Sequence, residues 1–405
     1  MDFDQDTTAS SQLSLTILQS VEDLILHQEE WDHFVEAVGS DVYFLVDWLR
    51  TWLKFYGKTC EIRFYIAKQN EQIVAVLPFC IERIRIGFAS IRIARFVSSY
   101  GTIVVFSPPI QAGKEEPVIK LAVSDLLATG NCDAVCLSPL SGLSSLSTIE
   151  NWSEVFDGRI DLLERKDVGV HTVFDLPDTF DEYLTSLGKS QKKKYLYTNR
   201  SLSKKFDVEN RLIEDQEAVD YFDVFVDFHT KLWKQVGKLG HFGEWPDGLE
   251  FNRELVRTMA PKGHIKFFEL SAGERLLSAG YSFELGSSSF RRLTARDPSQ
   301  ELKKFALGRI GYVKNLEFLI NEGKNFAETG PGHYDYKLAL SGQEFQMKRL
   351  IFTNTSLAVV ARTKLYLLMS EYLNFFYYRL WFKKLSPKLR LRSRPLWAFW
   401  VKAKL

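Results

Sequence analysis

The sequence predicts an α/β protein built from two similar units, followed by a basic and aromatic helical tail. Three observations carry that expectation. Strand-like and helix-like stretches alternate along residues 1–355, the pattern of an α/β domain. The hairpin sequence IRFYIAKQNEQIVAVLPFC, starting at Ile62, returns as IKFFELSAGERLLSAGYSFE at Ile265, an offset of 203 residues. Residues 361–405 hold eleven Lys/Arg and one acid, Glu371; that net +10, in a chain totalling +1, leaves −9 on the rest.

A chain of 405 residues exceeds one average domain, and the boundaries expected are 1–165, 166–355 and 356–405. With 45% hydrophobic and 25% charged residues the composition supports a sizeable core. Four cysteines are too few for a disulfide framework, and Cys132 and Cys136 have no neighbouring His or Cys, so no metal is expected. The leader MDFDQDTTASSQ lacks a basic start and an apolar core, and no apolar run reaches membrane length. A cytoplasmic protein, peripheral at the inner face of the membrane through its tail, is the expectation.

In the first unit, Leu13–Leu18 alternates as a strand and residues 21–38 have helical spacing. Asp41 is placed to cap the next helix, whose Trp48, Trp52 and Phe55 share one face and read as core. The hairpin over 62–80 turns at Gln69–Gln72. A strand pair around Ile84–Val97, a strand Tyr100–Phe106, a helix Glu116–Ala128, a buried strand Ala134–Leu137 and a helix Leu143–Val155 complete the unit.

The second unit opens with a strand Val170–Phe174 and a helix start at Pro177-Asp178. Residues 189–206 are strongly basic with interleaved tyrosines, and Phe206–Ile213 is a strand. A helix over 218–236, a glycine-rich loop over 237–248 and a helix over 249–260 lead to the second hairpin. There Ile265, Lys266, Phe267 and Phe268 stand where Ile62, Arg63, Phe64 and Tyr65 stood, which favours a duplication over chance likeness. A strand Ser289–Ala295, a long helix near Leu302–Glu322 and a strand Asn325–Glu328 follow, with Leu350–Thr353 as the last strand. A tail helix over 357–382 crowds Tyr366, Tyr372, Phe375, Phe376, Tyr377, Tyr378 and Trp381 among basic residues, and Pro387 breaks it. Rings at headgroup depth and cations on anionic lipid make such a segment a membrane-surface candidate.

The densest chemistry lies between Gly323 and Gly342: Glu328, Gly330, Gly332, His333, Tyr334, Asp335, Tyr336 and Lys337. With Trp31, Phe44, Trp48, Trp52, the two hairpins and the glycine-bracketed Tyr336-Lys337, residues 20–350 resemble the CelD/BcsL-type acetyltransferases. That is a GNAT-superfamily group linked to cellulose and other envelope polysaccharides and related to the FemAB peptidyltransferases. The resemblance implies a tandem of two GNAT-like domains and acyl transfer, with acetyl-CoA as donor and a sugar or lipid-linked envelope precursor as acceptor. The family's closing motif matches Glu328, Gly330, Gly332, Tyr336, Lys337 and Gly342. The chain departs from the family in having Pro298-Ser299-Gln300 where a Ser-Pro-Gly helix start is usual, and lysines and tyrosines over 191–197 in place of arginines.

Direct attack on a thioester needs a placed acceptor, donors for the oxyanion and removal of a proton, and no Ser-His-Asp nucleophile. Lys337 is the candidate for phosphate or developing charge, and Tyr336 for the leaving thiolate. His333 is a candidate base; Glu328 is an alternative base or a partner of Lys337. Lys303 and Lys304 at a helix start, with Gly308, Gly330 and Gly332, are candidates for holding the cofactor pyrophosphate. Lys192, Lys193, Lys194 and Arg200 form an exposed helix face, a groove for an anionic acceptor, or a contact for aminoacyl-tRNA as alternative donor. A non-catalytic assembly component is the third reading. The acidic balance outside the tail argues against general nucleic-acid binding.

Overall fold

The computed structural model describes residues 13–102, 104–129, 131–235, 240–389 and 396–405. The leader, the start of the loop over 237–248 and part of the tail lie outside them. The first unit runs β1 (Ser14–Leu18), α1 (Val21–Leu26), α2 (Gln28–Ala37), α3 (Val46–Phe55), β2 (Glu61–Gln69), β3 (Gln72–Ile86), β4 (Ala89–Phe96), α4 (Glu115–Ala128), β5 (Ala134–Leu140) and α5 (Trp152–Val155). Then come β6 (Ile160–Asp175), α6 (Phe180–Ser186), α7 (Lys189–Ser203), β7 (Glu209–Ile213), α8 (Asp215–Gln235), α9 (His241–Glu244) and α10 (Gly248–Met259). The chain continues through β8 (Ile265–Ala272), β9 (Arg275–Leu285), β10 (Ser288–Arg296), α11 (Leu307–Asn321), β11 (Phe326–Pro331), α12 (Asp335–Leu338), β12 (Gln343–Asn354) and α13 (Leu357–Leu373).

The strands form one sheet in the order β1-β2-β3-β4-β5-β12-β6-β11-β10-β9-β8-β7. Each half is a meander closed by a parallel pair, β4 with β5 and β10 with β11. The halves then exchange strands. β6, which follows the first unit, pairs with β11 of the second, and β12 pairs with β5 of the first. The expected boundary at 165/166 therefore falls inside β6, which pairs on both sides with strands that come late in the chain.

The repeat holds at the level of register. Ile66 faces Val76 and Glu269 faces Ala279, each shifted by the same offset. A bulge interrupts the first ladder at Ala67/Lys68 and the second at Leu270/Ser271, again the same step. The third strand of the second meander arrives early because β9 has 11 residues and β3 has 15.

The aromatics of α3 are core, as their spacing predicts, and they join the halves. Trp48 packs edge-on against Phe283 and Phe251 of the second unit. Its indole donates to Ser98 Oγ at 2.8 Å and that of Trp52 to Tyr100 O at 2.9 Å, so neither buried N–H is orphaned.

Several local expectations are corrected. Among the described residues of 100–106 there is no strand, only a bridge from Phe106 to Leu140. The helix expected over 143–155 survives as a 3-10 turn, Ser145–Ser147, and α5, because Ser147 and Thr148 hydroxyls bond back to local carbonyls. The single helix over 21–38 divides at His27. Asp41 caps no helix; its carboxylate accepts the Ser107 N–H instead. The second unit's first helix starts at Phe180 behind a Thr179/Glu182 capping box, not at Pro177. The helix expected over 302–322 is two pieces, a 3-10 turn Gln300–Phe305 and α11, broken at Ala306.

Nor is the tail a detached object. Tyr366 of α13 is buried on Ile91, Ile93 and Ile351, and the chain end returns to the same face. Tyr366 Oη and Ser370 Oγ donate to Ala403 O at 2.9 and 3.1 Å. Lys402 Nζ lies 2.6 Å from Glu82, whose other oxygen takes Arg95 Nε at 2.9 Å.

Gly311 shows how closely α11 lies on the sheet. A Cβ there would stand 2.3 Å from Ser278 Oγ and 2.8 Å from Ser278 Cβ. Gly311→Ala is expected to cost about 1–3 kcal/mol through overpacking, read as a lower urea midpoint with unchanged slope.

Candidate active site

The break at Ala306 makes the site. Ala306 takes a left-handed conformation, φ +52° and ψ +49°, and ends the 3-10 turn. The N–H groups of Arg309 and Ile310 bond to Ala306 O at 2.8 and 3.2 Å. Those of Leu307 and Gly308 find no backbone partner among the described residues. No side chain caps α11, so its positive end and two amides face outward, the arrangement that receives anions.

A cavity opens beside this helix start. β10 pairs with β11 only over Ser288–Phe290 and then runs on to Arg296, so the two strands part. The gap between β9, β10 and α11 holds a cavity of about 520 Å³, lined by Arg291, Arg296, Lys303, Gly308, Arg309 and Tyr336 around an apolar floor including Phe268, Ala279 and Leu307. Arg291 stacks its guanidinium 3.8 Å from the Tyr312 ring centre and donates Nη2 to Asn315. Its Nη1 is buried and has no hydrogen-bond partner among the described residues. In the first half, Phe106 packs on Phe44 and Phe96 at 5.6 and 5.5 Å.

The loop after β11 supplies one wall. Gly330 and Gly332 adopt φ of +86° and +113°, backbone open mainly to glycine. A Cβ on Gly342 would sit 2.8 Å from both Phe174 and Thr172 atoms, so the loop's exit also requires glycine. Lys337 is buried, and its Nζ donates to Thr329 O at 2.6 Å across the loop, over the Tyr334 ring at 4.8 Å. Tyr336, its neighbour, meets Tyr312 edge-on at 5.7 Å and lines the cavity. Burial pushes the Tyr336 phenol up to about 12, so it keeps its proton at neutral pH.

Burial, and next the positive charge of Arg291, depress the Lys337 ammonium from 10.5 to about 8. The folded pKa lies below the unfolded one, so the protonated amine opposes folding. That opposition is complete below about pH 8 and vanishes as pH passes the unfolded value of 10.5. Relative to Lys337→Met, the wild-type protein is therefore expected to gain stability between pH 8 and 10, measured by urea titration at each pH.

Of the residues singled out in sequence, Tyr336, Lys303 and Gly308 meet at the cavity. Lys304 does not line it and lies over Phe305 at 5.2 Å. Both lysines sit on the 3-10 turn before the break, so the helix start they were assigned to is at Leu307 instead. Gly330 and Gly332 shape the loop; Gly332 N–H bonds to Val170 O at 2.7 Å. Glu328 does not pair with Lys337. It is buried against His171 Nδ1 at 2.5 Å and takes the Gly330 N–H at 2.7 Å. His333 is exposed, away from the cavity, and the Glu344 carboxylate at 2.9 Å raises its pKa. Lys193, Lys194 and Arg200 are exposed on α7 and Lys192 is half-buried; Arg309 Nη1 donates to Gln191 Oε1 at 2.5 Å, which ties this helix to the cavity rim.

Sequence reading missed Arg291, Arg309 and Tyr312, and also a buried chain in which His171 joins Glu328 to Ser141 Oγ at 3.2 Å. For Arg291 a signal existed: a pair of adjacent arginines, Arg291-Arg292, inside a strand. His171 carried none, standing as one polar residue in an alternating strand.

Residues 189–338 match the family model described as Acetyltransferase (GNAT) domain. No curated protein matches the sequence. Among solved structures the chain is similar to FemX, with a TM-score of 0.58 and 12% identity over 84% of this chain and 98% of that one. A conserved protein of unknown function from Bacteroides thetaiotaomicron gives 0.51 and 10% identity over 84% and 100% of the two chains. The C-terminal domain of an Agrobacterium fabrum protein described as a lysylphosphatidylglycerol synthetase gives 0.50 and 10% over 86% and 97%. At such identities the likeness is one of fold. The chain thus shares its fold with FemX, and its second half carries the match to the acetyltransferase (GNAT) domain.

Proposed function

We propose that the second domain transfers an acetyl group from acetyl-CoA to a sugar or lipid-linked envelope precursor. The observation that carries this reading is the cavity at the uncapped start of α11. Its two free amides and the cations Lys303, Arg296 and Arg309 suit a pyrophosphate, and its apolar floor suits a pantetheine arm. The acceptor's amine or hydroxyl attacks the thioester carbonyl carbon and gives up its proton to solvent at the mouth of the cavity. Arg291, a cation of the cavity wall, is the donor for the oxygen that gains charge. When the C–S bond breaks, the sulfur carries the electron pair away. The Tyr336 hydroxyl donates a hydrogen bond to that thiolate; its pKa of about 12 exceeds that of a free thiol, so stabilisation outweighs full proton transfer. Lys337 holds the loop that presents Tyr336.

The test incubates the protein with acetyl-CoA and a panel of amino sugars and lipid-linked saccharides. Acceptor-dependent release of free thiol, with an acetylated product by mass spectrometry, is expected; no release above the protein-free rate would contradict the proposal. A second reading has its own support in the exposed Lys193, Lys194 and Arg200 on α7 beside the same rim. There the donor is an aminoacyl-tRNA, its backbone on α7. Retention of tRNA lost on replacing Lys192, Lys193 and Lys194 would favour it.

A further inference from the structure

We infer that the outer face of the C-terminal segment is a docking surface for an anionic lipid membrane. The inner face of α13 is committed: Thr363, Tyr366 and Ser370 are buried on the sheet. Outward, Leu368, Tyr372 and Phe376 stand four apart, with Tyr372 51% and Phe376 58% exposed. From Asn374 to Leu385 the helix winds as a π-helix. Its wider turn extends the same run through exposed Leu380, Trp381 and Leu385 instead of letting it spiral off. So large a row of exposed aromatic and aliphatic side chains on a folded protein marks a partner surface.

Charge selects the partner. Arg379, Lys383, Lys384 and Lys388 are exposed along the same segment. Its one acid, Glu371, is spent in an ion pair with Lys166. Rings that sit at headgroup depth beside cations that meet anionic lipid describe an interfacial helix. A nucleic acid would use the cations and leave the apolar row in water. No described helix is long and apolar enough to cross a membrane, so the segment lies in the plane of the surface. This surface stands whether or not the acetyl-CoA reading holds, because vesicle binding needs no donor.

The full chain is sedimented with vesicles of phosphatidylcholine, with and without phosphatidylglycerol. At least about tenfold stronger binding to the anionic vesicles is expected, weakening with salt. Lys383→Glu with Lys384→Glu should lower that binding by on the order of tenfold. Tyr372→Ser, Phe376→Ser and Trp381→Ser together should abolish it. Tryptophan quenching of the wild-type protein by brominated lipid gives a reading that needs no variant. Equal binding to both vesicles, or none, overturns the inference. So does a wild-type dimer in light scattering that the triple replacement dissociates, which would assign the face to a second copy of this chain.

Discussion

Gly308→Glu is expected to weaken acetyl-CoA binding by at least about 100-fold while leaving the fold intact. Gly308 is exposed on the first turn of α11, so a side chain there has room to leave the protein surface. The space it would take is the one a phosphate needs. A Cβ would lie 3.3 Å from Arg296 Cδ, and the carboxylate would reach the cations that line the rim. It would neutralise Arg296, Arg309 or Lys303 and set a negative charge at the helix's positive end, where a second anion is then repelled. Calorimetric titration with acetyl-CoA reads the loss, and an unchanged thermal transition separates it from unfolding. A dissociation constant within a few-fold of wild type would remove the helix start from the account.

The second large effect concerns Tyr336→Phe. Removing one hydroxyl from a ring that keeps its contact with Tyr312 should lower kcat by on the order of 100-fold and leave KM for acetyl-CoA nearly unchanged. The reasoning is that the hydroxyl acts on the sulfur only as charge develops there, so the bound donor feels little of its loss. A rise in KM at constant kcat would instead make Tyr336 part of the binding wall. Lys337→Met should behave differently. It removes the clamp on Thr329 O, and with it the loop's geometry, so both constants should move together.

The tandem architecture was legible because local patterns survived duplication. A hairpin whose side chains alternate is fixed by register, and the same offset that aligned Phe64 with Phe267 also aligns their partners and their bulges. The exchange of β6 and β12 was not legible. Each strand satisfies the same alternation beside either neighbour, so nothing local says that β12 inserts next to β5. A division of the chain at 165/166 therefore cuts through β6.

The site divided along similar lines. The glycine-bracketed loop could be found because Gly330, Gly332 and Gly342 each answer a backbone or packing demand that only a missing Cβ meets. Within it, sequence reading singled out Lys337, and the structure shows why the neighbouring Tyr336 has the open position. Consecutive residues of a short helix point in different directions, and Lys337 is turned inward to Thr329 O. The helix start was misplaced by five residues or so for a reason equally physical. Alanine rarely takes a left-handed backbone, so nothing in KKFALG announces that Ala306 ends one turn and opens another. Glu328 looked like a base or a lysine partner; its true partner, His171, lies on a strand that precedes it by 157 residues.

The cavity between β10 and α11 is the proposed site of a coenzyme A thioester. Hydrogen–deuterium exchange on the full chain, with and without coenzyme A, tests it most directly. Slower exchange is expected over residues 303–312, at the start of α11, and over 334–340, around Tyr336, with α7 unchanged. Absence of protection in both segments at saturating coenzyme A, or protection that appears only on α7 and only with tRNA, would contradict it.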